Sequence, residues 1–243
     1  MKCSKTSSFT GVIYRIFSPR TQSSSLLFDW PALLTIAREI GDRDGEGKAL
    51  GNLGNAYCQI GNTQRAIEFF EQLLAIAREN KNRRDEEAGL GNLGLAYYQS
   101  GNLYRAIEFF EQALAIVREI GDHDGEGRAL GNLGNTYGQL GNLRRAIEFY
   151  EQHLAIVREI GDRFGEGTLL GNLGLAYADL GDARRAVEFY EQHLFIAREI
   201  GDIMGVARTS YNMALILQHD QPSKALKYAK EALKLFYQGG QEH

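Results

Sequence analysis

The sequence predicts an all-α fold, a solenoid built by stacking helix hairpins. Three observations carry this. From Gly41 the chain repeats every 40 residues (41–80, 81–120, 121–160, 161–200, 201–240), and the first and third copies agree at 29 of 40 positions. Each copy holds two stretches with apolar residues three and four apart, the spacing of one helix face. Glycine followed by Asn or Asp punctuates most of the stretches, a turn signal whose second residue can cap the next helix.

Residues 1–28 form a divergent N-terminal segment. Only Ile13 and Phe17 fall on repeat positions, those of Leu53 and Tyr57. A capping element, a transit segment and the stump of a longer array are all open readings. Residues 29–40 form a half-repeat helix. Pro31 to Ile40 matches the end of the first unit's second helix, Glu71 to Asn80, with Pro at its first turn. Four repeats of 40 residues fill 41–200. In the first, helix A carries Leu50, Leu53, Ala56, Tyr57 and Ile60. Helix B carries Ala66, Ile67, Phe70, Leu73, Leu74, Ile76 and Ala77. Such a hairpin is too small to bury its own apolar face, so its neighbours must. Residues 201–243 read as a divergent C-terminal capping repeat and tail. Lys224, Lys227, Lys230 and Lys234 suit a face open to water there.

Within the unit, Leu53-Gly54-x-x-Tyr57 followed by Ala66-x-x-x-Phe70 resembles the tetratricopeptide core, L-G-x-x-Y and A-x-x-x-F. It recurs from Leu93, Leu133 and Leu173. Leu50, Leu90, Leu130 and Leu170 stand where that family often has Trp, and Arg78 where it often has Pro, so helix B can run on. The long unit with its repeated Leu-Gly-Asn is similar to the Leu-Gly-Asn-repeat (Pins-type) scaffolds and to long bacterial tetratricopeptide arrays. The resemblance implies a right-handed α-α superhelix whose A helices line a concave, protein-binding groove. The G-protein-binding motifs of Pins-type scaffolds have no counterpart after these repeats, so that regulation does not transfer.

The resemblance puts groove positions of helix A on 48, 51, 52, 55, 58 and 59 of the first unit. One column there is uniform: Asn52, Asn92, Asn132, Asn172 and Asn212. An amide offers donor and acceptor together, so a ladder of them can hold the main chain of an extended peptide. Tying helix A to its neighbour is the structural alternative. Gly51, Gly91, Gly131 and Gly171 run beside it, leaving room for a ligand or for close helix approach. Lys48, Arg128 and Arg208 add positive charge, and Asn55, Asn135, Gln59, Gln99 and Gln139 add further donors, so a partner with acidic groups is expected. Leu95 and Leu175 alternate with Asn55 and Asn135 along the groove.

Other chemistry is weakly represented. His153 and His193 occupy the packing positions of Leu73 and Ala113 and read as interface histidines rather than metal ligands. Glu68 and Glu108 read as a solvated face paired with Arg65 and Arg105. Nucleophile elbow, phosphate loop and HExxH are missing, so the reading is a non-enzyme with no cofactor and no metal site. Cys3 and Cys58 make no disulfide framework, and the default location is the cytoplasm. A net charge of −4 argues against nucleic acid, although residues 1–28 carry +4 and leave −8 for the rest. No apolar run reaches the ~18 residues of a membrane span. The predicted role is an adaptor binding an extended partner segment. The alternatives are a regulatory segment contacting its own effector domain, or a fragment that self-associates weakly end to end rather than staying monomeric.

Overall fold

The computed structural model describes residues 29–239; the readings made for residues 1–28 and for the last four residues lie outside it. Eleven helices run in order: α1 Trp30–Ile40, α2 Arg43–Gln59, α3 Thr63–Glu79, α4 Arg83–Gln99, α5 Leu103–Ile120, α6 His123–Gln139, α7 Leu143–Ile160, α8 Arg163–Asp179, α9 Ala183–Ile200, α10 Ile203–Leu217 and α11 Pro222–Gly239. Among the described residues there is no strand. Each helix packs on the next in sequence, so α2/α3, α4/α5, α6/α7, α8/α9 and α10/α11 form hairpins. The first member of each is the A helix and the second the B helix; α1 stands as a B helix ahead of them.

The boundaries follow from capping chemistry. Asp or Asn precedes each of α1 to α10, and its side chain accepts from the backbone N–H three residues on, as with Asp42 and Gly45 (2.9 Å) or Asn62 and Arg65 (3.2 Å). Each such cap contributes about 1 kcal/mol. Eight helix ends close through a glycine at φ between 70° and 80°, from Gly41 to Gly201. At the first A-to-B turn the Asn62 N–H reaches back to the Tyr57 carbonyl (2.9 Å), which satisfies an orphan acceptor. The second unit breaks this rule. Lys81 stands where the others have Gly and holds φ at 53°, a left-handed state costing roughly 1–2 kcal/mol for a residue with a β-carbon.

Inside each hairpin the core is a stack of equivalent residues. Leu50, Leu90, Leu130 and Leu170 are buried, as are Leu93, Leu133 and Leu173. The aromatic ring of the B helix (Phe70, Phe110, Tyr150, Tyr190) lies against the helix A glycine of the Leu-Gly motif. A β-carbon on Gly94 or Gly134 would sit 2.5 Å from a ring carbon of Phe110 or Tyr150. A second aromatic layer lies beside it. Tyr57 stacks on Phe69, Tyr97 on Phe109, Tyr137 on Phe149 and Tyr177 on Phe189, with centroids 5.3 to 5.5 Å apart.

Successive hairpins are stapled by charge. Arg38 of α1 donates from Nε to Glu46 of α2 (2.8 Å) and from Nη2 to Gln72 of α3 (2.8 Å). Arg43 donates to the other oxygen of Glu46 (2.8 Å) and pairs with Glu79. One arginine thus touches three helices, and Glu46 is buried between two guanidiniums. Hydrogen bonds from Arg38 and Arg43 hold its carboxyl below the usual range. The pattern repeats as Arg78–Glu86–Arg83 and Arg158–Glu166–Arg163. His123 replaces the second arginine in the third hairpin and sits 3.9 Å from Glu126. Arg78 therefore does more than let helix B run on, because it carries the joint. The surface pairs Arg65–Glu68 and Arg105–Glu108 are present as expected.

The outward face of α11 is mixed rather than purely basic. Leu226 and Leu233 are each 57% exposed beside Lys227, Lys230 and Lys234, although their counterparts Ile67 and Leu74 are buried by the next A helix.

The two glycine columns of helix A should separate in a melting experiment. Gly94→Ala drives a methyl into the Phe110 ring and is expected to destabilise by about 1–3 kcal/mol, despite alanine's better helix propensity. At Gly91 the nearest atom to an added β-carbon is Glu87 Oε1 at 3.7 Å. Gly91→Ala should therefore raise stability by up to ~1 kcal/mol. Urea unfolding of the two variants checks both signs.

Candidate peptide-binding groove

Helix α2 touches α4, and α4 touches α6, across the hairpin joints, so the A helices line the inner side of the array. The helical period then sets what faces inward: positions 48, 52, 55 and 59 of the first unit follow one another at three- and four-residue steps.

The five asparagines are all half-buried on this face but differ in their bonds. Asn52 donates to the Lys48 carbonyl of its own helix (2.8 Å). Asn212 donates to the Tyr190 hydroxyl of α9 (3.3 Å), which is the helix-tying role. Asn92, Asn132 and Asn172 make no side-chain hydrogen bond with any described residue, so three consecutive amides in the middle of the row keep donor and acceptor free. Of the other groove polar residues, Asn135 is exposed yet engaged, accepting from the Tyr150 hydroxyl (2.8 Å). Asn55, Gln59, Gln99 and Gln139 are exposed. Arg128 is committed to Asp124 one turn earlier. Lys48 and Arg208 are exposed and carry no ion pair among the described residues. Leu95 and Leu175 are exposed between them at 41% and 49%.

The neighbouring glycine column is open. A β-carbon at Gly51, Gly91 or Gly171 would meet its nearest neighbour no closer than 3.5 Å, and only at Gly131 would it press on a side chain, the His153 ring at 3.1 Å. Only at Gly131, then, does the B helix come close enough to demand a glycine. The groove deepens between α4 and α6 into a pocket of about 270 Å³, lined by Glu87, Ala88, Gly91, Asn92 and Leu95 on one side and Arg128, Ala129 and Asn132 on the other, with Phe110 and Ala113 beneath. Glu87 was not among the residues picked out from sequence. Its signal was there: Gly47, Gly127 and Gly167 occupy the same repeat position.

His153 and His193 lie at the A–B interface, under the glycine columns. His193 is buried with Nδ1 2.7 Å from the Thr209 hydroxyl of α10. The buried His153 Nδ1 has no hydrogen-bond partner. Among the described residues no three His, Cys, Asp or Glu side chains gather as metal ligands, and no helix is long and apolar enough to cross a membrane. Cys58 is a half-buried free thiol; Cys3 lies outside the described residues.

Burial lowers the pKa of both histidines, against the opposing pull of Asp162 on His153 and of Asp202 on His193, where Arg208 adds to the lowering. The folded chain keeps them neutral while the unfolded chain protonates near the usual ~6.5. The unfolded state therefore binds more protons in that window, and stability must fall as pH drops below about 6.5 towards the folded values. Replacing both with the first unit's residue, His153→Leu and His193→Leu, should flatten this part of the stability–pH curve measured by urea unfolding.

The "Tetratricopeptide repeat" family model matches residues 31–79, 85–159 and 165–238. No curated protein matches the chain by sequence. Among solved structures the chain is similar to BtubC (BKLC) from P. vanneervenii, with a TM-score of 0.77 and 20% identity over 88% of this chain and 91% of that one. It is also similar to the apo form of RapI, with a TM-score of 0.69 and 15% identity over 96% and 97%. A third likeness is to a signal-transduction ATPase with numerous domains from Pyrococcus horikoshii that has a tetratricopeptide-repeat sensor. There the TM-score is 0.75 at 22% identity, covering 83% of this chain and 32% of that much longer one. At these identities the likeness is one of fold. With its repeat motifs, its stacked hairpins and a family match across most of its length, the chain belongs to the tetratricopeptide-repeat family, a protein-interaction fold.

Proposed function

We propose that this chain is an adaptor that holds an extended segment of a partner protein in the groove of its A helices. One observation carries the reading: Asn92, Asn132 and Asn172 stand in repeat register, half-buried, with no protein partner for their amides. Amides that no protein group engages can exchange water for a ligand, and a peptide main chain supplies both complementary groups. The open glycine column beside the ladder leaves space for such a chain. Exposed Leu95 and Leu175 offer apolar contacts between the amides, so the segment carries both polar and apolar side chains. Acidic groups on it would pair with Lys48 and Arg208 near the two ends. The same groove would serve a regulatory segment contacting its own effector domain, as in a protein built with a repeat sensor.

The test is the triple variant Asn92→Ala, Asn132→Ala, Asn172→Ala. A partner segment captured from native lysate and mapped to a peptide is titrated against wild type and variant. Each lost amide contact contributes about 0.5–1.5 kcal/mol, so affinity should drop tenfold or more while the melting temperature stays nearly unchanged. A collapse in melting, or unchanged affinity, overturns the reading.

A second reading rests on the α11 face. Leu226 and Leu233 repeat an apolar pair that every earlier joint covers with a helix. A second copy stacking α1 on α11 would bury both. Light scattering over a concentration series should then show growth in mass that Leu226→Glu with Leu233→Glu abolishes.

A further inference from the structure

Across the four full hairpins, one pair of positions trades size between helix A and helix B. The pairs are Gly47 with Leu73, Glu87 with Ala113, Gly127 with His153 and Gly167 with His193. In three hairpins the B-helix side chain fills the slot against a bare glycine: an added β-carbon would lie 3.4 Å from Leu73 at Gly47 and 2.9 Å from His153 at Gly127. The second hairpin is inverted. Ala113 leaves the floor low and Glu87 rises from the A helix, giving the pocket of about 270 Å³, far more than the ~30 Å³ share of one water.

Glu87 differs from the other interface glutamates. Glu46, Glu86, Glu126 and Glu166 are each held by an arginine, whereas Glu87 is half-buried and forms no hydrogen bond or ion pair with any described residue. Arg128 lines the same pocket, but its guanidinium is drawn off to Asp124. Burial pushes the Glu87 pKa up, Arg128 pulls it part of the way back, and the negative charge of Asp122 opposes ionisation again. The local balance is acidic, with Glu87, Asp122 and Asp124 set against Arg128. A half-buried carboxylate in this state gains most from a positive group brought in with its own apolar stem.

We propose that this slot is a specificity pocket for a basic side chain, a lysine or arginine of the bound segment. Its alkyl stem lies over Ala88, Ala113 and Phe110 and its charged head meets Glu87, while Asn92 and Asn132 hold the adjoining main chain. The proposal rests on the groove reading above and refines it: acids belong at the groove ends, a base in the middle.

The test uses the full chain and two small probes, N-acetyl-lysine N-methylamide and its norleucine analogue, which differ in the charged head. Amide resonances of Gly91, Asn92 and Ala113 are followed by NMR. Expected are saturable shifts with the lysine probe and roughly tenfold weaker binding of norleucine, the worth of ~1.4 kcal/mol. Glu87→Gln should erase that difference, and Ala113→His, which fills the slot as in the third hairpin, should remove binding of both. No saturable shift, equal binding of the probes, or an unchanged preference in Glu87→Gln overturns the pocket. Failure of the groove reading looks different: the asparagine variants leave partner affinity intact while the lysine probe still binds through Glu87.

Discussion

In each of the four full hairpins an aromatic ring of helix B occupies the space that a β-carbon on helix A would need. Gly54, Gly94, Gly134 and Gly174 leave it free for Phe70, Phe110, Tyr150 and Tyr190. Helix-interior glycine is unfavourable by about 1 kcal/mol relative to alanine, and a buried aromatic ring more than offsets it. The contact sets the distance between A and B helices. That distance lets the leucines at 50, 90, 130 and 170 be buried in equivalent places along the array, and it aims the opposite face of helix A at the groove. A protein that packed this column differently would lose the register of its asparagines as well as its core.

The second level of order is polar. Hairpins too small to bury their own faces depend on their neighbours, and here the joint combines apolar burial with an arginine that reaches three helices at once. Because the glutamate between the arginines is buried in the first and fourth hairpins, its geometry is demanding. Removing one partner would leave a buried charge unpaired, which is far more damaging than losing a surface pair. The staples therefore specify how each hairpin sits on the last, and through that the spacing of groove residues from one unit to the next.

How much of this could be read from sequence depends on the range of each interaction. Helix boundaries were legible because caps and left-handed glycines act within four or five residues of themselves. The apolar stack was legible because repetition multiplies a weak periodic signal. The two glycine columns could not be told apart, since whether a helix glycine faces a ring or open space is decided by the partner helix. The Arg38–Glu46 and Arg38–Gln72 contacts join residues 8 and 34 apart on different helices, and no local pattern reveals them. In the groove the asparagine row was visible as a column of letters, but the bonds of Asn52 and Asn212 that set them apart from the central three were not. Glu87 was passed over for a related reason: searching for what repeats directs attention away from the one unit that differs.

Lys81 gives the array an uneven seam. Where every other joint turns on a glycine, this one holds a lysine in the left-handed region, and the adjacent Arg83 leaves its Nε buried without a partner. Stability in such a fold is a chain of unit terms and neighbour terms, so strain at one joint is not averaged over the whole. The cost falls on the junction between α3 and α4, the step that joins the first hairpin to those that form the pocket. Opening at that junction would shorten the groove by one rung while leaving its centre assembled.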